Sequence, residues 1–235
     1  MPVGPTSVTL KGADKALLGE TAAKLRADGI EAVALPLDLA DDASILAFAA
    51  AAQEAVGPVE VLVNNAGNVD PEGGLSDPDR FASEVQVNLL GAQRLAHLVG
   101  AGMVDRQRGD IVFVSSDVVR RPRPFMASYM ASKHGVEGLV TALQMELEGT
   151  GVRASVVSPG PTSTGMGTYW DVEALVPLMD EWTRWGLMRH PHCLTPDAIA
   201  GAVHTVVSAP RGTHITMIEV EPEAPVVPRE EERQT

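Results

Sequence analysis

Short runs of apolar, often β-branched residues alternate along the chain with longer segments of mixed polarity. The runs predict six strands, at 7–10, 31–38, 59–64, 110–116, 152–157 and 214–220. The intervening segments predict helices, at 14–28, 42–56, 78–106, 126–149 and 195–208. Several runs are apolar almost throughout, as expected for strands that are covered on both faces. This alternation favours an α/β fold with a doubly wound, mostly parallel sheet and right-handed crossovers.

One segment, 161–193, departs from this pattern, because it mixes Pro, Gly, Thr and Met with all three tryptophans. It leaves the carboxyl end of a strand, where open α/β sheets bind ligands, so we interpret it as a lid over a substrate. An ordinary helical excursion that shields the sheet is the alternative. The sequence shows no repeat and no linker, so we expect one domain over 1–220. The proline- and charge-rich segment 221–235 is expected to form a flexible acidic tail.

Composition narrows the class of protein. The chain has 235 residues, 18 basic and 31 acidic side chains, and a formal charge of −13. No basic stripe is visible, so neither nucleic acid nor anionic lipid is an expected partner. No apolar run reaches the roughly 18 residues of a membrane span, and the first residues lack the pattern of a secretory signal. We therefore expect a cytoplasmic protein with a small-molecule substrate.

The cysteine and the histidines give little indication of a disulfide or a metal site. Cys193 is the single cysteine, which excludes an intramolecular disulfide and fits a reducing compartment. Residues 190–193 read HPHC, but Pro191 and the lack of an obvious fourth ligand disfavour a metal site there. We expect no metal.

Tyr129 and Lys133, in the sequence YMASK, are the first candidates for catalysis. On a helix, a spacing of four residues places both side chains on one face. An ammonium beside a phenol favours the phenolate, and lowering a tyrosine pKa from about 10 toward 7 requires roughly 4 kcal/mol. Such a tyrosine exchanges protons near neutral pH. The spacing alone is weak, since a solvated pair gives the same pattern.

Four further motifs follow predicted strands or lie within a helix. Ser116 ends the strand DIVFVSS, where a parallel sheet presents ligand-binding groups. Asn88, in VNLLG, falls inside the third helix, where asparagine is mildly unfavourable, so a structural hydrogen bond or a role at a site would explain it. The small residues of NNAG, 64–67, permit close approach of the backbone to a ligand. SPG, 158–160, also follows a strand.

Taken together and in this order, these motifs resemble those of the short-chain dehydrogenase/reductase family, from about residue 7 to 220. The resemblance implies a Rossmann-like fold and hydride transfer between a nicotinamide cofactor, NAD(P)(H), and a carbonyl or alcohol. It implies that Tyr129 donates or accepts the proton and that Lys133 lowers its pKa and binds the nicotinamide ribose. It further implies that Ser116 holds the substrate oxygen and that Asn88 keeps a proton-relay water and its helix in place.

The resemblance also implies which residues border the cofactor: Asp38 and Leu39 near the adenine, Asn64, Ala66 and Gly67 along its length, and Pro159, Gly160 and Thr164 near the nicotinamide. It implies a homodimer or homotetramer assembled through helices 78–106 and 126–149.

The sequence departs from the family at its start. Members open with a strand and a glycine-rich turn, TGxxxGxG, which brings the backbone to the diphosphate of the cofactor. Either 11–18, KGADKALL, is a degraded form of that turn, or 7–10, SVTL, is the family's second strand. The second alignment is preferred because it runs without a gap through NNAG. The first needs the deletion of a strand–helix unit, roughly 30 residues.

Either alignment leaves the sheet truncated at its centre. Five or six buried aliphatic side chains would be lost, on the order of 10 kcal/mol, which is comparable to the net stability of a domain. We predict that 7–10 closes the gap by pairing beside the NNAG strand. A partner subunit that covers the exposed edge is the alternative. Without the diphosphate cradle, cofactor affinity is expected to fall severely.

Three functions remain open at this point. The first is an NAD(P)-dependent oxidoreductase acting on a carbonyl or alcohol. The second is a cofactor-independent lyase, isomerase or dehydratase that uses Tyr129 and Ser116, and the third is a non-catalytic truncated homologue. Near Ser116, the arginines at 120, 121 and 123 either bind an anionic group or form a solvated cationic loop.

Overall fold

The computed structural model describes residues 7–12, 15–71, 75, 77–164, 172–187 and 190–226. Within these ranges the strands are β1 (Ser7–Gly12), β2 (Glu31–Pro36), β3 (Val61–Asn64), β4 (Gly109–Val114), β5 (Val152–Pro159) and β6 (Met217–Val220). The α helices are α1 (Lys15–Ala27), α2 (Asp42–Val56), α3 (Pro78–Val85), α4 (Ala92–Asp105), α5 (Ala127–Glu146), α6 (Val172–Arg184) and α7 (Pro196–Val207). All six predicted strands are present, with bounds that differ by a few residues.

Parallel pairing joins the strands into two sheets rather than one. One sheet has the order β3-β4-β5-β6, and the other consists of β1 and β2. Asn64 at the end of β3 lies opposite Phe113 of β4, and Ser7 of β1 lies opposite Glu31 of β2. Each strand from β1 to β5 is followed by at least one helix, as the α/β pattern of the sequence predicts. The Rossmann-like, parallel α/β class is thereby confirmed.

The predicted position of the first strand is wrong. Residues 7–12 pair with 31–36, and among the described residues β3 has no strand on its side away from β4. The loop after β2 packs closely on the helical layer. A Cβ on Gly91 would lie 2.2 Å from the carbonyl oxygen of Leu39 in that loop. That contact packs the loop after β2 closely against the π-helical turn that contains Gly91.

The core lies between the four-stranded sheet and helices α2, α4 and α5. Its most buried members include Ile45, Leu95, Phe113, Val140 and Val156. All six residues of β4 are buried, which is typical of a central parallel strand. The carboxyl ends of β4 and β5 therefore sit at a fixed place above this core.

Two other segments differ in detail from the sequence pattern. The predicted helix 78–106 is divided by a π-helical turn, Gln86–Gly91, between α3 and α4. The predicted lid segment contains α6, whose middle carries Pro177. Residues 221–226 form neither helix nor strand, and 227–235 lie outside the described residues. No helix in the described part of the chain is both long and apolar enough to cross a membrane.

Candidate active site

The side chains of Ser116 and Tyr129 meet above the carboxyl end of β4. Ser116 follows the strand and caps a short 3-10 turn, Asp117–Val119, by accepting a hydrogen bond from Val118 N at 3.4 Å. Its hydroxyl donates a hydrogen bond to Asp117 Oδ1 at 3.3 Å and lies beside the phenol of Tyr129, in the first turns of α5. Both residues are buried, with Tyr129 only 7% exposed.

Lys133 lies one helical turn beyond Tyr129, on the same face of α5, as the spacing predicts. Its Nζ donates a hydrogen bond to the carbonyl oxygen of Val114 at 2.8 Å and lies 5.5 Å from the centroid of the Tyr129 ring. Gly67, in the loop after β3, approaches this group closely: a Cβ there would stand 3.6 Å from Lys133 Nζ and 3.0 Å from Asn88 Oδ1. The glycine of NNAG is therefore needed for close contact.

Both the oxygen and the nitrogen of the Asn88 side-chain amide make hydrogen bonds. Its Oδ1 accepts a hydrogen bond from Asn68 N, and its Nδ2 donates to Asn68 O, both at 2.8 Å. Nδ2 also donates to Ser132 Oγ on α5 at 3.1 Å. The predicted structural hydrogen bond thus exists, and it ties the π-helical turn to the helix that carries Tyr129 and Lys133.

A second contact of the same kind involves two residues that the sequence analysis missed. Ser128 Oγ on α5 donates a hydrogen bond to Oε2 of Glu84 on α3 at 2.6 Å, and Glu84 is 2% exposed. Glu84 precedes Asn88 by one helical turn, just as Ser128 precedes Ser132. We call these contacts the two rungs, Glu84–Ser128 and Asn88–Ser132. The spacing of four from Asn88 was the available signal for Glu84.

The pKa of Tyr129 differs from the expectation. Burial raises the pKa of its phenol from 10.0 to about 12, and the neighbouring hydroxyl of Ser116 lowers it only in part. The charges of Asp117 and Glu84 raise it further, and that of Arg123 lowers it. The expected lowering of this pKa by Lys133 is not found: burial of the phenol, which disfavours its charged form, dominates, and Lys133 Nζ donates to the carbonyl oxygen of Val114.

The three arginines after β4 form neither an anion site nor a solvated loop. Arg120 pairs with Glu137 at 3.1 Å and with Glu219. Arg121 pairs with Glu221 at 2.6 Å. The third, Arg123, makes two parallel hydrogen bonds with the carboxylate of Asp117, one of them 2.9 Å long. These pairs tie the loop after β4 to α5, to β6 and to the segment that follows β6.

Helix α6 covers the phenol. Trp182 packs with Tyr129, Met126 and Leu178 in one buried cluster. Its indole Nε1 donates to the carbonyl oxygen of Pro124 at 3.1 Å, and the guanidinium of Arg123 stands 5.7 Å from the centroid of its ring. Next to this cluster is a small cleft, lined by Asp117, Arg121, Arg123, Pro161, Leu187, His190, Glu221 and Pro222.

The residues expected around the cofactor fall into two groups. Gly67 touches the Tyr129–Lys133 region, and the half-buried Ala66 adjoins it. Pro159, Gly160 and Thr164 lie at and after the end of β5. A Cβ on Gly160 would be 2.6 Å from Glu221 Oε2, so the segment after β6 packs directly over it. Asp38 and Leu39 belong instead to the loop after β2; Leu39 is 5% exposed and part of the core, whereas Asp38 is exposed.

Asn64, another residue expected near the cofactor, is the last residue of β3. Its side chain is buried at the end of β3, and neither Nδ2 nor Oδ1 has a hydrogen-bond partner among the described residues. The residues expected to hold the nicotinamide end of a dinucleotide, Gly67 and Lys133, lie close together. At the diphosphate end, the described residues provide no glycine-rich turn beside β3. A nicotinamide cofactor fits one half of the site and lacks its usual cradle in the other.

A parallel α/β fold with a buried Ser–Tyr pair, a lysine one turn away and an asparagine fixed beside it defines a dehydrogenase-type oxidoreductase fold. The chain belongs to the short-chain dehydrogenase family, whose family model matches residues 5–173.

Its relatives include reductases and dehydrogenases. The chain is 33% identical over 207 residues to 2,3-dihydro-2,3-dihydroxybenzoate dehydrogenase of Bacillus subtilis, covering 85% of this chain and 78% of that protein. It is 37% identical over 152 residues to the ketoacyl reductase HetN of a Nostoc species, covering 63% of this chain and 53% of that one. The chain therefore spans about half the length of HetN.

Solved structures give the same result. A metagenomic short-chain oxidoreductase in complex with NADP superposes with a TM-score of 0.75 at 29% identity, over 93% of this chain and 86% of that one. A short-chain dehydrogenase/reductase from Burkholderia phymatum in complex with NAD gives 0.78 at 26% identity, over 91% and 79%.

Proposed function

We propose that this protein is an oxidoreductase that interconverts a carbonyl compound and an alcohol, with Tyr129 as the general acid or base and NAD(P)(H) as the redox partner. The observation that carries the proposal is the buried Ser116 hydroxyl beside the buried Tyr129 phenol at the carboxyl end of β4, with Lys133 one helical turn away on α5. The family and the reductase relatives support the reaction class. The bound NADP and NAD of the similar structures support the choice of cofactor.

The chain's own residues handle the proton. In the reducing direction, the carbonyl oxygen of the substrate accepts hydrogen bonds from Ser116 and Tyr129, and the phenolic proton moves to that oxygen as it becomes an alcohol. When bound, NAD(P)H supplies the hydride that completes the reduction. Lys133 stabilises the phenolate left on Tyr129, and the two rungs keep α5 in the position that this transfer requires.

The proposed site would hold the nicotinamide half of the cofactor more firmly than its diphosphate. Lys133 and Gly67 lie where the nicotinamide half would bind, with Asn64 and Ala66 beside them. Pro159, Gly160 and Thr164 contribute from the end of β5. The diphosphate lacks backbone donors from a glycine-rich turn, so binding is expected to be weak.

Substrate entry requires movement of the segment 161–193, which we propose as the lid. Tyr129 is 7% exposed beneath Trp182 and Leu178, so a substrate reaches the phenol only when α6 moves away. Single-domain organisation over 1–220, a flexible tail at 221–235, a homodimer or homotetramer and a cytoplasmic location stay predictions.

The test combines binding and turnover. Calorimetry measures binding of NAD(H) and NADP(H), and nicotinamide absorbance follows turnover across a panel of ketones and alcohols. We expect Tyr129→Phe to lose about 10²- to 10⁴-fold in turnover, the usual contribution of general acid–base catalysis. Ser116→Ala is expected to lose activity as well. Its matched control, Ser208→Ala, removes an exposed hydroxyl 3.2 Å from His204 Nε2 and is expected to change nothing.

Two results would overturn the proposal. The first is the absence of cofactor binding at millimolar concentration together with no turnover on the panel. The second is activity that survives Tyr129→Phe unchanged, since the reaction then does not use this phenol.

A further inference from the structure

The indole of Trp182 fills an apolar recess beside the Tyr129 phenol. The indole is 9% exposed and packs in one buried cluster with Val69, Val118, Met126 and Tyr129. These four residues, which we call the recess, come from the loop after β3, the 3-10 turn after β4 and the start of α5. The recess therefore belongs to the part of the fold that carries the reactive groups, and α6 contributes the ring that fills it.

The indole also makes two polar contacts, both with the segment after β4. Its Nε1 donates a hydrogen bond to the carbonyl oxygen of Pro124 at 3.1 Å, and the guanidinium of Arg123 stands 5.7 Å from the ring centroid. Two parallel hydrogen bonds to the buried Asp117 hold that guanidinium in place without help from the indole. A cation beside a ring attracts an aromatic ring and not a saturated one. These contacts are complementary to a flat aromatic group with a hydrogen-bond donor on its edge.

Helix α6 is attached by few side chains. Among the α6 side chains that the structure describes, only Leu178 and Trp182 are buried. Val176 is 55% exposed, and Pro177 has no N–H with which to continue the hydrogen bonds of the helix. Because Tyr129 is 7% exposed beneath this helix, a substrate that reaches the phenol has to displace the indole.

The backbone next to the hydrogen-bond acceptor is strained. Phe125 has a φ of 63°, in the left-handed region that bulky residues rarely adopt, and its side chain is 46% exposed. It lies between Pro124, whose oxygen accepts the indole hydrogen bond, and Met126 of the recess. Strained residues of this kind are concentrated at ligand-binding sites, where they hold neighbouring groups in place.

We propose that Trp182 occupies the place of an aromatic ring of the substrate, so that the substrate is an aryl ketone, or the corresponding alcohol, with a hydroxyl or another hydrogen-bond donor on its ring. The ring enters the recess beside the Arg123 guanidinium, and its donor replaces the indole Nε1 on the carbonyl oxygen of Pro124. The carbonyl group attached to the ring is then reduced beside Ser116 and Tyr129. The inference rests on the proposed function for the reaction and adds the class of substrate.

Fluorine NMR of protein labelled with 5-fluorotryptophan tests this without cofactor or turnover. The chain has three tryptophans, so Trp170→Phe and Trp185→Phe leave Trp182 as the single reporter. The signal of Trp185 in the unmodified protein, where this residue is 64% exposed, gives the reference for an exposed indole. Acetophenone and cyclohexyl methyl ketone are the probes, because they are similar in size and differ in having an aromatic or a saturated ring.

We expect acetophenone to move the Trp182 signal toward the exposed reference. It should bind about tenfold more tightly than cyclohexyl methyl ketone, which is the scale of a partly desolvated cation–π contact. A hydroxyl at position 3 or 4 of the acetophenone ring should increase the affinity by about two- to tenfold more, because it provides the donor for Pro124 O.

Three variants separate ring recognition from general apolar binding. Arg123→Met combined with Asp117→Leu removes the cation and its partner together, so the two ketones should bind about equally. Trp182→Ala empties the recess and should bind acetophenone more tightly in calorimetry, because no indole has to be displaced; Trp182→Leu serves if the alanine variant does not fold. The matched control is Trp185→Ala, which removes an exposed indole that has its own cation, Arg184, at 5.4 Å. It should leave the affinity unchanged.

The inference is overturned if neither ketone moves the Trp182 signal up to its limit of solubility. It is also overturned if the saturated ketone binds as tightly as acetophenone, or if the preference for acetophenone survives removal of the cation. Failure of the oxidoreductase assay would leave these binding results standing. Faster turnover of saturated than of aryl ketones would refute the substrate class and keep the proposed reaction, so the two hypotheses are tested separately.

Discussion

Replacing Arg123 by methionine removes one partner of a buried ion pair within the segment after β4, beside Trp182 of helix α6. The side chains of Arg123 and Asp117 are 7% and 6% exposed and make two parallel hydrogen bonds. The guanidinium also stands 5.7 Å from the centroid of the Trp182 ring. Methionine keeps an unbranched, flexible side chain in this place but carries no charge.

The expected loss of stability is large because Asp117 is left buried without its counter-charge. Removing one partner of a buried pair costs about 3–5 kcal/mol. The lost contact with Trp182 adds about 0.5–2 kcal/mol. For a protein of this size each kcal/mol lowers Tm by about 2–4 °C, so the pair alone corresponds to a fall of about 6–20 °C.

Urea unfolding followed by circular dichroism measures this effect, and the chain supplies a matched control. Arg184 pairs with Glu181 at 3.2 Å and lies 5.4 Å from the centroid of the Trp185 ring, yet its side chain is 70% exposed. Exposed pairs contribute about 0–1 kcal/mol, so Arg184→Met is expected to cost little. Equal costs for the two substitutions would refute the reasoning. Replacing Asp117 by leucine as well should restore most of the lost stability.

Three other substitutions test separate features of the structure by the same unfolding assay. Gly91→Ala is expected to destabilise by about 1–3 kcal/mol, because its Cβ would lie 2.2 Å from Leu39 O; an unchanged midpoint would contradict that contact. Asn64→Leu should stabilise by about 1–3 kcal/mol, since two buried polar atoms without partners are removed, and a loss would mean that they are satisfied. The raised pKa of Tyr129 predicts that stability is complete below about pH 10 and falls by about 3 kcal/mol as pH rises through about 12; Tyr129→Phe should abolish this fall.

Hydrophobic patterning predicted the elements well and their neighbours less well. The strand of residues 7–12 and the helix α5 are close to their predicted bounds, because periodicity and β-branched runs report directly on local conformation. Which strand lies beside residues 7–12 depends instead on how the β1–β2 unit packs on the helices. Gly91 and Leu39, which are in close contact beside this unit, are 52 positions apart in the chain. No local sequence pattern could therefore predict their contact.

Motif spacing found the side chains of the site but not their electrostatics. Tyr129 and Lys133 were placed on one face of a helix by their spacing alone, and Asn88 by its unfavourable position inside one. The sequence analysis did not select Glu84, because a glutamate in a helix is normally interpreted as a solvent-facing residue. The direction of the Tyr129 pKa shift was likewise hidden, since it depends on how completely α6 excludes water from the phenol.

The two halves of the site depend on different parts of the fold. The proton-transfer half is built from the ends of β4 and β5 and from the rungs that join α3 and the π-helical turn to α5. All of these belong to the four-stranded sheet and its helices. The residues expected near the adenine, Asp38 and Leu39, belong to the separate β1–β2 unit. Weak dinucleotide binding is therefore compatible with an intact phenol, hydroxyl and ammonium group. Cofactor affinity and the titration of Tyr129 should respond to different substitutions.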